Sequence, residues 1–210
     1  MNQVDPNKYN RQYFTRAYGE SVYLENQGCF FGVIHNLIYQ EIAGLADIGP
    51  EDTLVDYGCG NGDLAFYLAS KFHCQVKALD YSKSAIDICN EKLKQVCRFN
   101  DQIEFINNNT DFLPVFKNIK AMFFCDVIEH MTDKEFATIL RQAKTWNTKI
   151  KIVVHTDNNS YLMFVNPFFN LFNFLLRNKS LSQIKEEKRV NRDLHINLTT
   201  PQKLKNKMRK

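Results

Sequence analysis

The sequence predicts an α/β fold: an open, doubly wound, mainly parallel sheet of strand order 3-2-1-4-5 with helices on both faces. Two observations support this prediction. Short apolar runs alternate with amphipathic runs of helical period across residues 49–158. Polar residues follow these apolar runs, and open parallel sheets bind their ligands at the carboxyl ends of the strands. We therefore expect one α/β core with a ligand site along one sheet edge.

Composition indicates an ordinary globular chain in a reducing compartment. The 210 residues are 44% hydrophobic and 24% charged, with a net charge of +4, which suits one domain with its own core. Its six cysteines form no C-x-x-C pair, so neither a zinc site nor a disulfide framework is predicted. The polar N-terminus does not resemble a signal peptide, and we predict a cytoplasmic protein. No basic patch with interleaved aromatics is present, which disfavours nucleic acid as a partner.

Residues 1–48 are predicted to form an N-terminal helical cover. Its tyrosines recur irregularly, and packing onto the domain surface is favoured over lining a ligand pocket. The second part of this cover is predicted to be a helix with one apolar face, made of Ile34, Leu37, Ile38, Ile42 and Leu45. Gly49 and Pro50 then break the chain before the first strand.

The first strand leads into a loop with three glycines at alternate positions. The strand ends near Asp56, and the loop carries Gly58, Gly60 and Gly62. Glycine allows close approach of a ligand to the backbone. The third glycine comes one residue too early for a dinucleotide loop. A phosphate-binding loop would end in Gly-Lys-Ser/Thr, whereas this loop continues with Asp63, which would repel a phosphate. A ligand with positive groups and no phosphate fits better, and S-adenosylmethionine (SAM) is such a ligand.

The second strand ends in Asp80, about 20 residues beyond the loop. A carboxylate there can accept hydrogen bonds from both ribose hydroxyls of a nucleoside. Ser82 is a plausible N-cap for the helix that follows. Because NAD carries the same ribose diol, Asp80 alone does not separate the two cofactors, and a nicotinamide oxidoreductase remains a distant alternative.

Three further strands are predicted, and each ends in a polar residue. They begin at Ile103, Ala121 and Ile150. Their carboxyl ends carry Asn109, Cys125 and His155, respectively. Between the last two strands, Thr132-x-x-Glu135 is predicted to be a capping box that opens a helix.

The segment from Asp56 to Gly62 resembles the first motif of class I SAM-dependent methyltransferases, acidic-x-Gly-x-Gly-x-Gly. The resemblance extends over residues 49–158 and is closest to methyltransferases of sugars, lipid-linked compounds and quinone-type small molecules. It implies methyl transfer from SAM to a small-molecule acceptor, with an oxygen on such a compound as the expected target. The cofactor-binding residues that it implies are Asp56, Gly58, Cys59, Gly60, Gly62, Asp80, Tyr81, Asn109, Thr110, Asp111, Cys125 and Asp126. In the family an acid contacts the adenine, and Asn109 or Asp111 takes that place here.

An oxygen acceptor needs a base, and histidine is the usual choice near neutral pH. The segment from Asp126 to His130 resembles the family's acidic-x-x-Glu-His segment, so we expect catalytic roles for Glu129, His130 and His195, with His155 as a third histidine. The set formed by Asp126, Glu129, His130 and His195 also resembles the metal set of RNA ribose 3′-end methyltransferases. That reading is a distant alternative, and we predict no metal.

The last part of the chain is predicted to hold a hydrophobic insert, residues 159–198, and the start of a final helix, residues 199–210. The stretch 161–176, which starts at Tyr161 and ends at Leu176, fits a lid over the acceptor pocket, a peripheral membrane contact or plain core. Thr200 and Pro201 are predicted to open the final helix. The family's last antiparallel strand pair is not expected here, which keeps a non-catalytic SAM-binding regulator or partner protein as the main alternative.

Overall fold

A computed structural model describes residues 8–18, 30–109, 113–156, 197 and 199–208. Of residues 15–18, 30–34 and 201, it describes the backbone alone. The chain divides into two compact units. The sheet unit comprises residues 5–125 and 137–155, and the second unit comprises residues 1–4, 126–136 and 156–210.

The described residues form six helices and five strands. In chain order they are α1 (Arg11–Tyr18), α2 (Phe30–Gly44), β1 (Thr53–Tyr57), α3 (Asp63–Phe72), β2 (Gln75–Asp80), α4 (Lys83–Gln95), β3 (Ile103–Asn107), β4 (Ile119–Cys125), α5 (Asp133–Trp146), β5 (Lys151–His155) and α6 (Pro201–Met208). Short 3₁₀ turns occupy Cys97–Phe99 and Ile128–His130.

The five strands form one sheet in the order β3-β2-β1-β4-β5, and every neighbouring pair is parallel. The predicted fold class and strand order are confirmed. Crossovers between parallel strands are right-handed, and the chain moves in opposite directions from β1 in its two halves. The α3 and α4 crossovers therefore lie on one face and the α5 crossover on the other.

The core lies between the sheet and the helices that pack on it. Strand β4 is buried along its centre, from Ala121 to Phe124, as expected for a strand covered on both faces. Helix α3 buries Phe66 and Leu68 completely. Burial of such side chains is worth about 1.5–3 kcal/mol each. This packing fixes the strand ends that carry the candidate site.

Helix α2 packs through only part of the predicted face. Ile42 is buried and Ile38 packs against the core, as predicted, whereas Leu37 is 60% exposed and Leu45 is 66% exposed, so the prediction for these two leucines is wrong. The other buried side chains are Tyr39 and Ala43, with Ala46 just beyond the end of the helix. Small alanine side chains let the helix approach closely, and the Tyr39 ring lies 5.6 Å from the Tyr67 ring of α3. The apolar pattern alone favoured the larger leucines over these alanines.

The local capping predictions are confirmed. The Ser82 hydroxyl accepts a hydrogen bond from the Ala85 N–H at 3.2 Å. In the predicted capping box, the Glu135 N–H donates to the Thr132 hydroxyl, and the Thr132 N–H donates to the Glu135 carboxylate. Helix α6 begins at Pro201, and the Thr200 hydroxyl accepts from the Lys203 N–H. Short-range sequence signals therefore set three helix starts.

The second unit is described through residues 126–136, 156, 197 and 199–208. Asn197 ties its parts together, because its N–H donates to the Glu129 carbonyl at 2.9 Å and its amide donates to the Met131 carbonyl. Lys207 of α6 donates to the Asn197 side chain and lies 2.7 Å from the Asp133 carboxylate. None of the helices in the described ranges is both long and apolar enough to cross a membrane. The stretch 161–176 lies outside the described residues.

Candidate functional site

The glycine loop turns sharply between β1 and α3. Gly58, Gly60 and Gly62 all have left-handed backbone angles, with φ of 73°, 53° and 83°. The N–H groups of Gly58 and Cys59 both donate to the Leu79 carbonyl, at 2.7 and 2.9 Å. These bonds hold the loop beside the carboxyl end of β2. The conformation is one that residues with a Cβ rarely adopt.

Asp80 closes this arrangement from the end of β2. Its Oδ2 accepts from the Gly60 N–H at 2.9 Å, and its Oδ1 accepts from the Ser82 N–H at 2.8 Å. Burial raises the pKa of Asp80 to about 6, although the backbone N–H groups oppose the shift. A carboxylate has about four acceptor sites, so both oxygens retain capacity for hydroxyl donors. Asp80 therefore both fixes the loop and can bind a diol.

Asp56 lies one position before the end of β1 and is 2% exposed. Burial raises its pKa to about 7, and the negative charge of Asp80 adds to the shift. The Ala65 N–H bonds to this carboxyl and opposes the shift. Among the described side chains, Asp56 Oδ2 is the buried polar atom without a hydrogen-bond partner. Two neighbouring buried carboxyls with raised pKa values favour a ligand that brings a positive charge or a hydrogen-bond donor.

The Cys59 thiol in the loop is not a nucleophile in this arrangement. It is 8% exposed, and burial together with a hydrogen bond to the Cys89 thiol raises its pKa. A buried, protonated thiol is chemically inert. Cys59 therefore contributes backbone and packing to the site. Five cysteines in the described part of the chain carry free thiols, namely Cys59, Cys74, Cys89, Cys97 and Cys125.

Aromatic residues of the N-terminal segment lie beside this loop and the end of β2, and they were not predicted to be site residues. The Tyr9 ring makes edge contacts with Tyr81 at 5.5 Å and with Tyr13 at 4.9 Å, and its carbonyl accepts from the Ser82 hydroxyl. A Cβ on Gly60 would come within 3.6 Å of the Phe14 ring. The tyrosine-rich N-terminal sequence was the available signal for these site residues. Because the tyrosines are irregularly spaced, the sequence did not show which part of the chain they pack against.

The predicted adenine residues are described only in part. Asn109 is exposed, whereas Thr110 and Asp111 lie outside the described residues. The neighbouring Asn107 amide donates to the carbonyls of Asp80 and Tyr81, both at 3.1 Å. The end of β3 is thus fastened to the end of β2, and the contact of Asn109 or Asp111 with adenine stays a prediction.

The far side of the sheet edge carries Cys125 and His155. The two residues are register partners at the ends of β4 and β5. The Cys125 sulfur lies 3.9 Å from His155 Nδ1, and both residues are partly buried. Neighbouring strands are about 4.8 Å apart, so His155 is two strands from β1.

In the second unit, Glu129 is 1% exposed. Its Oε2 accepts from the Thr156 hydroxyl at 2.8 Å, and its carbonyl accepts from the Asn197 N–H. His130 is partly buried, and Asp126 is exposed with a left-handed φ of 55°. His195 lies outside the described residues. The catalytic roles of Glu129, His130 and His195 stay predictions.

Residues 54–148 match the family described as "Methyltransferase domain". The match begins in β1, includes the glycine loop and Asp80, and continues through α5. Together with the sheet order, this decides the class of the domain. Residues 54–148 are a class I methyltransferase domain.

Solved structures share the fold of this methyltransferase domain. A candidate SAM-dependent methyltransferase from Methanococcus maripaludis superposes with a TM-score of 0.55 at 18% identity, over 92% of this chain and 86% of that one. Geranyl diphosphate C-methyltransferase from Streptomyces coelicolor A3(2), solved with S-adenosyl-L-homocysteine (SAH), gives a TM-score of 0.53 at 17% identity. That match covers 73% of this chain and 57% of the other. At these identities the likeness shows the fold.

Sequence relatives are plant alkaloid methyltransferases. A protein from Papaver bracteatum, assigned as (S)-tetrahydroprotoberberine N-methyltransferase 2, is 26% identical over 164 residues, which is 74% of this chain and 44% of the relative. (S)-tetrahydroprotoberberine N-methyltransferase from Eschscholzia californica is 27% identical over 127 residues, 59% of this chain and 34% of the relative. The chain thus spans less than half the length of these relatives.

Proposed function

We propose that this chain transfers a methyl group from SAM to a small-molecule acceptor. The observation that carries the proposal is the pair of buried carboxyls, Asp56 and Asp80, beside the glycine loop. SAM carries an ammonium, a sulfonium and a ribose diol and no phosphate. Those groups suit a buried carboxyl with one unpartnered oxygen and a carboxylate at the end of β2. The three glycines take the left-handed backbone angles that this tight loop needs.

The residues of the site have separable roles in this proposal. Asp80 accepts the ribose hydroxyls while it holds the Gly60 N–H, and Asp56 with the loop takes the methionine portion. When bound, SAM supplies an electrophilic methyl group on a good leaving group. The chain then has mainly to align the acceptor in line with that methyl group, because proximity and orientation provide most of the acceleration. Cys125 at the carboxyl end of β4 stays a candidate contact of the cofactor, and His155 lies at the neighbouring end of β5.

The acceptor proposed from the sequence is an oxygen on a sugar, a lipid-linked compound or a quinone-like compound. An oxygen nucleophile loses its proton as it attacks, and a histidine accepts it, with His130, His195 and His155 as the candidates. The named substrates of the relatives, an amine and a prenyl diphosphate carbon, widen the range to test. A panel of phenols, quinols, sugars and tertiary amines distinguishes these acceptor classes, with SAH formation measured for each compound.

The first test is binding of the donor by Asp80. We expect calorimetry to detect SAM and SAH binding to the wild-type protein, and Asp80→Asn to weaken both by about 30- to 100-fold. The asparagine amide would place a donor against the N–H of Gly60 or Ser82, both of which now donate to this side chain. NAD serves as the competing ligand and is expected not to bind.

The matched control is Asp87→Asn, which removes a carboxylate that is half exposed on α4 and paired with Lys83. Surface pairs of this kind contribute little, so donor affinity should stay within twofold of wild type. Undiminished SAM affinity in Asp80→Asn would contradict the assignment of this site. SAM binding without SAH formation across the acceptor panel would favour the non-catalytic alternative.

A further inference from the structure

Lys92 of α4 is a buried lysine that the proposed chemistry does not use. It is 6% exposed. An ammonium taken out of water is costly unless hydrogen bonds and an opposite charge replace its hydration. The buried Lys92 ammonium therefore needs hydrogen-bond acceptors and a negative charge nearby, and residues of the glycine loop and the start of α3 provide them.

The Lys92 ammonium binds the loop at two points. Its Nζ donates to the Asn61 carbonyl at 3.1 Å and lies 3.5 Å from Asp63 Oδ1. The Asn61 amide in turn donates to Asp63 Oδ2 at 2.9 Å. The three side chains are all mostly buried. The positive charge is thus balanced by Asp63 at the start of α3, and the hydrogen bond is given to the loop backbone between Gly60 and Gly62.

A second residue on the same face of α4 acts on the preceding peptide unit. The Cys89 thiol donates to the Gly60 carbonyl at 3.2 Å, and positions three apart share a helix face. From the opposite side, the Gly60 N–H donates to Asp80. Two consecutive loop carbonyls are therefore held against α4. Glycine has a wider range of backbone conformations than other residues. The hydrogen bonds from Lys92 and Cys89, which we call the anchor, therefore limit the conformations that the loop can adopt.

We infer that Lys92 is a positioning residue that holds the glycine loop in the conformation that binds the methionine portion of SAM and SAH. This inference rests on the proposed function for its ligand. Lys92 acts through its hydrogen bond to the Asn61 carbonyl. It does not act through attraction or repulsion of the ligand, because its positive charge is paired with Asp63. Loss of the anchor should free the loop and weaken ligands that need it, while the Asp80 diol site remains.

The anchor is tested first in the protein alone, by hydrogen exchange. Lys92→Met is expected to accelerate exchange of the Gly60 and Gly62 amides by about tenfold or more, with amides of β2 and β4 unchanged. Lys94→Met is the control, because it removes an exposed lysine from the same helix. Lys92→Met/Asp63→Asn removes the carboxylate left behind, so the result stands even where the single variant folds poorly.

Ligand binding separates positioning from general destabilisation. Lys92→Met and the double variant should lose about tenfold or more in affinity for SAM and for SAH, by the same factor for both. Binding of adenosine, which lacks the methionine portion, should be unchanged. A loss confined to SAM would indicate a charge effect, and an equal loss for adenosine would indicate a damaged fold; either outcome overturns the inference.

The inference about Lys92 is also overturned if the loop amides exchange at the wild-type rate in both Lys92→Met and the double variant, whether or not SAM binds. Absence of SAM and SAH binding in the wild-type protein, with faster loop exchange in the variants, would instead refute the proposed function and leave the anchor in place. The two failures are therefore distinguishable.

Discussion

Replacing Gly62 by alanine is expected to lower the free energy of unfolding by about 2–4 kcal/mol. The residue has φ of 83°, and a Cβ would lie 3.0 Å from Cys89 Sγ and 3.0 Å from the Phe105 ring. The variant thus combines a strained backbone with overpacking between α4 and β3. For a domain of this size the melting temperature should fall by roughly 5–15 °C.

Gly44→Ala provides the control for this prediction. Among the described residues, no heavy atom beyond its chain neighbours and the backbone of its own helix lies within 4 Å of the point where its Cβ would sit, and it is the last residue of α2. Its effect should be small and of either sign, because alanine is the better helix former but the residue lies at a helix end. A Gly62→Ala protein that melts within 1 °C of wild type would show that the loop tolerates a side chain there.

Replacing Asp56 by asparagine is expected to stabilise the ligand-free protein and weaken SAM binding together. Above pH 7 the wild-type protein holds a buried carboxylate near the negative charge of Asp80, whereas the variant holds a neutral amide. We expect a gain of about 1–3 kcal/mol in the free energy of unfolding at pH 8. SAM affinity at the same pH should fall by about 10- to 100-fold.

The pH dependence of this difference has a definite sign. The folded-state pKa of Asp56 is raised to about 7 from an ordinary value of 3.8. Between those values the folded protein keeps a proton that the unfolded chain has released, so stability falls as pH rises from about 4 to 7. Asp80, raised to about 6, adds to the same slope. The advantage of Asp56→Asn should therefore be small at pH 4 and largest above pH 7.

Urea unfolding at pH 4, 6 and 8 measures this slope, and Asp101→Asn, at an exposed position, is the control. SAM affinity of the wild-type protein should rise over pH 5.5–8, because a cationic ligand binds the ionised carboxyls better. The variant should show a flatter profile. An Asp56→Asn protein less stable than wild type at pH 8 would mean that the carboxylate is satisfied in the folded state.

Local signals in the sequence were sufficient for most of the fold. The alternation of apolar and amphipathic runs predicted five parallel strands with helices between them, and the observed order is the one that the resemblance to class I methyltransferases implied. The Ser82 cap, the Thr132–Glu135 capping box and the Thr200–Pro201 helix start were predicted because capping depends on residues three or four positions apart. The three glycines and Asp80 were predicted for a similar reason, since a tight turn and a strand end are short-range features.

Long-range packing decided the rest. The side chains that α2 buries depend on the elements that it packs against, and Leu37 and Leu45 are exposed whereas Ala43 and Ala46 are buried. Tyr9 and Phe14 reach the loop across more than 40 residues of chain. No spacing rule relates Lys92 to Asn61, which lie 31 positions apart.

The sequence by itself thus determined the five strands, the glycine loop and the acids at the ends of β1 and β2, because hydrophobic period and turn chemistry act locally. Only the tertiary structure showed that Asp56 is buried with an unpartnered oxygen beside Asp80, and that Lys92 anchors the loop. The physical reason is that desolvation and charge pairing depend on what surrounds a group in space.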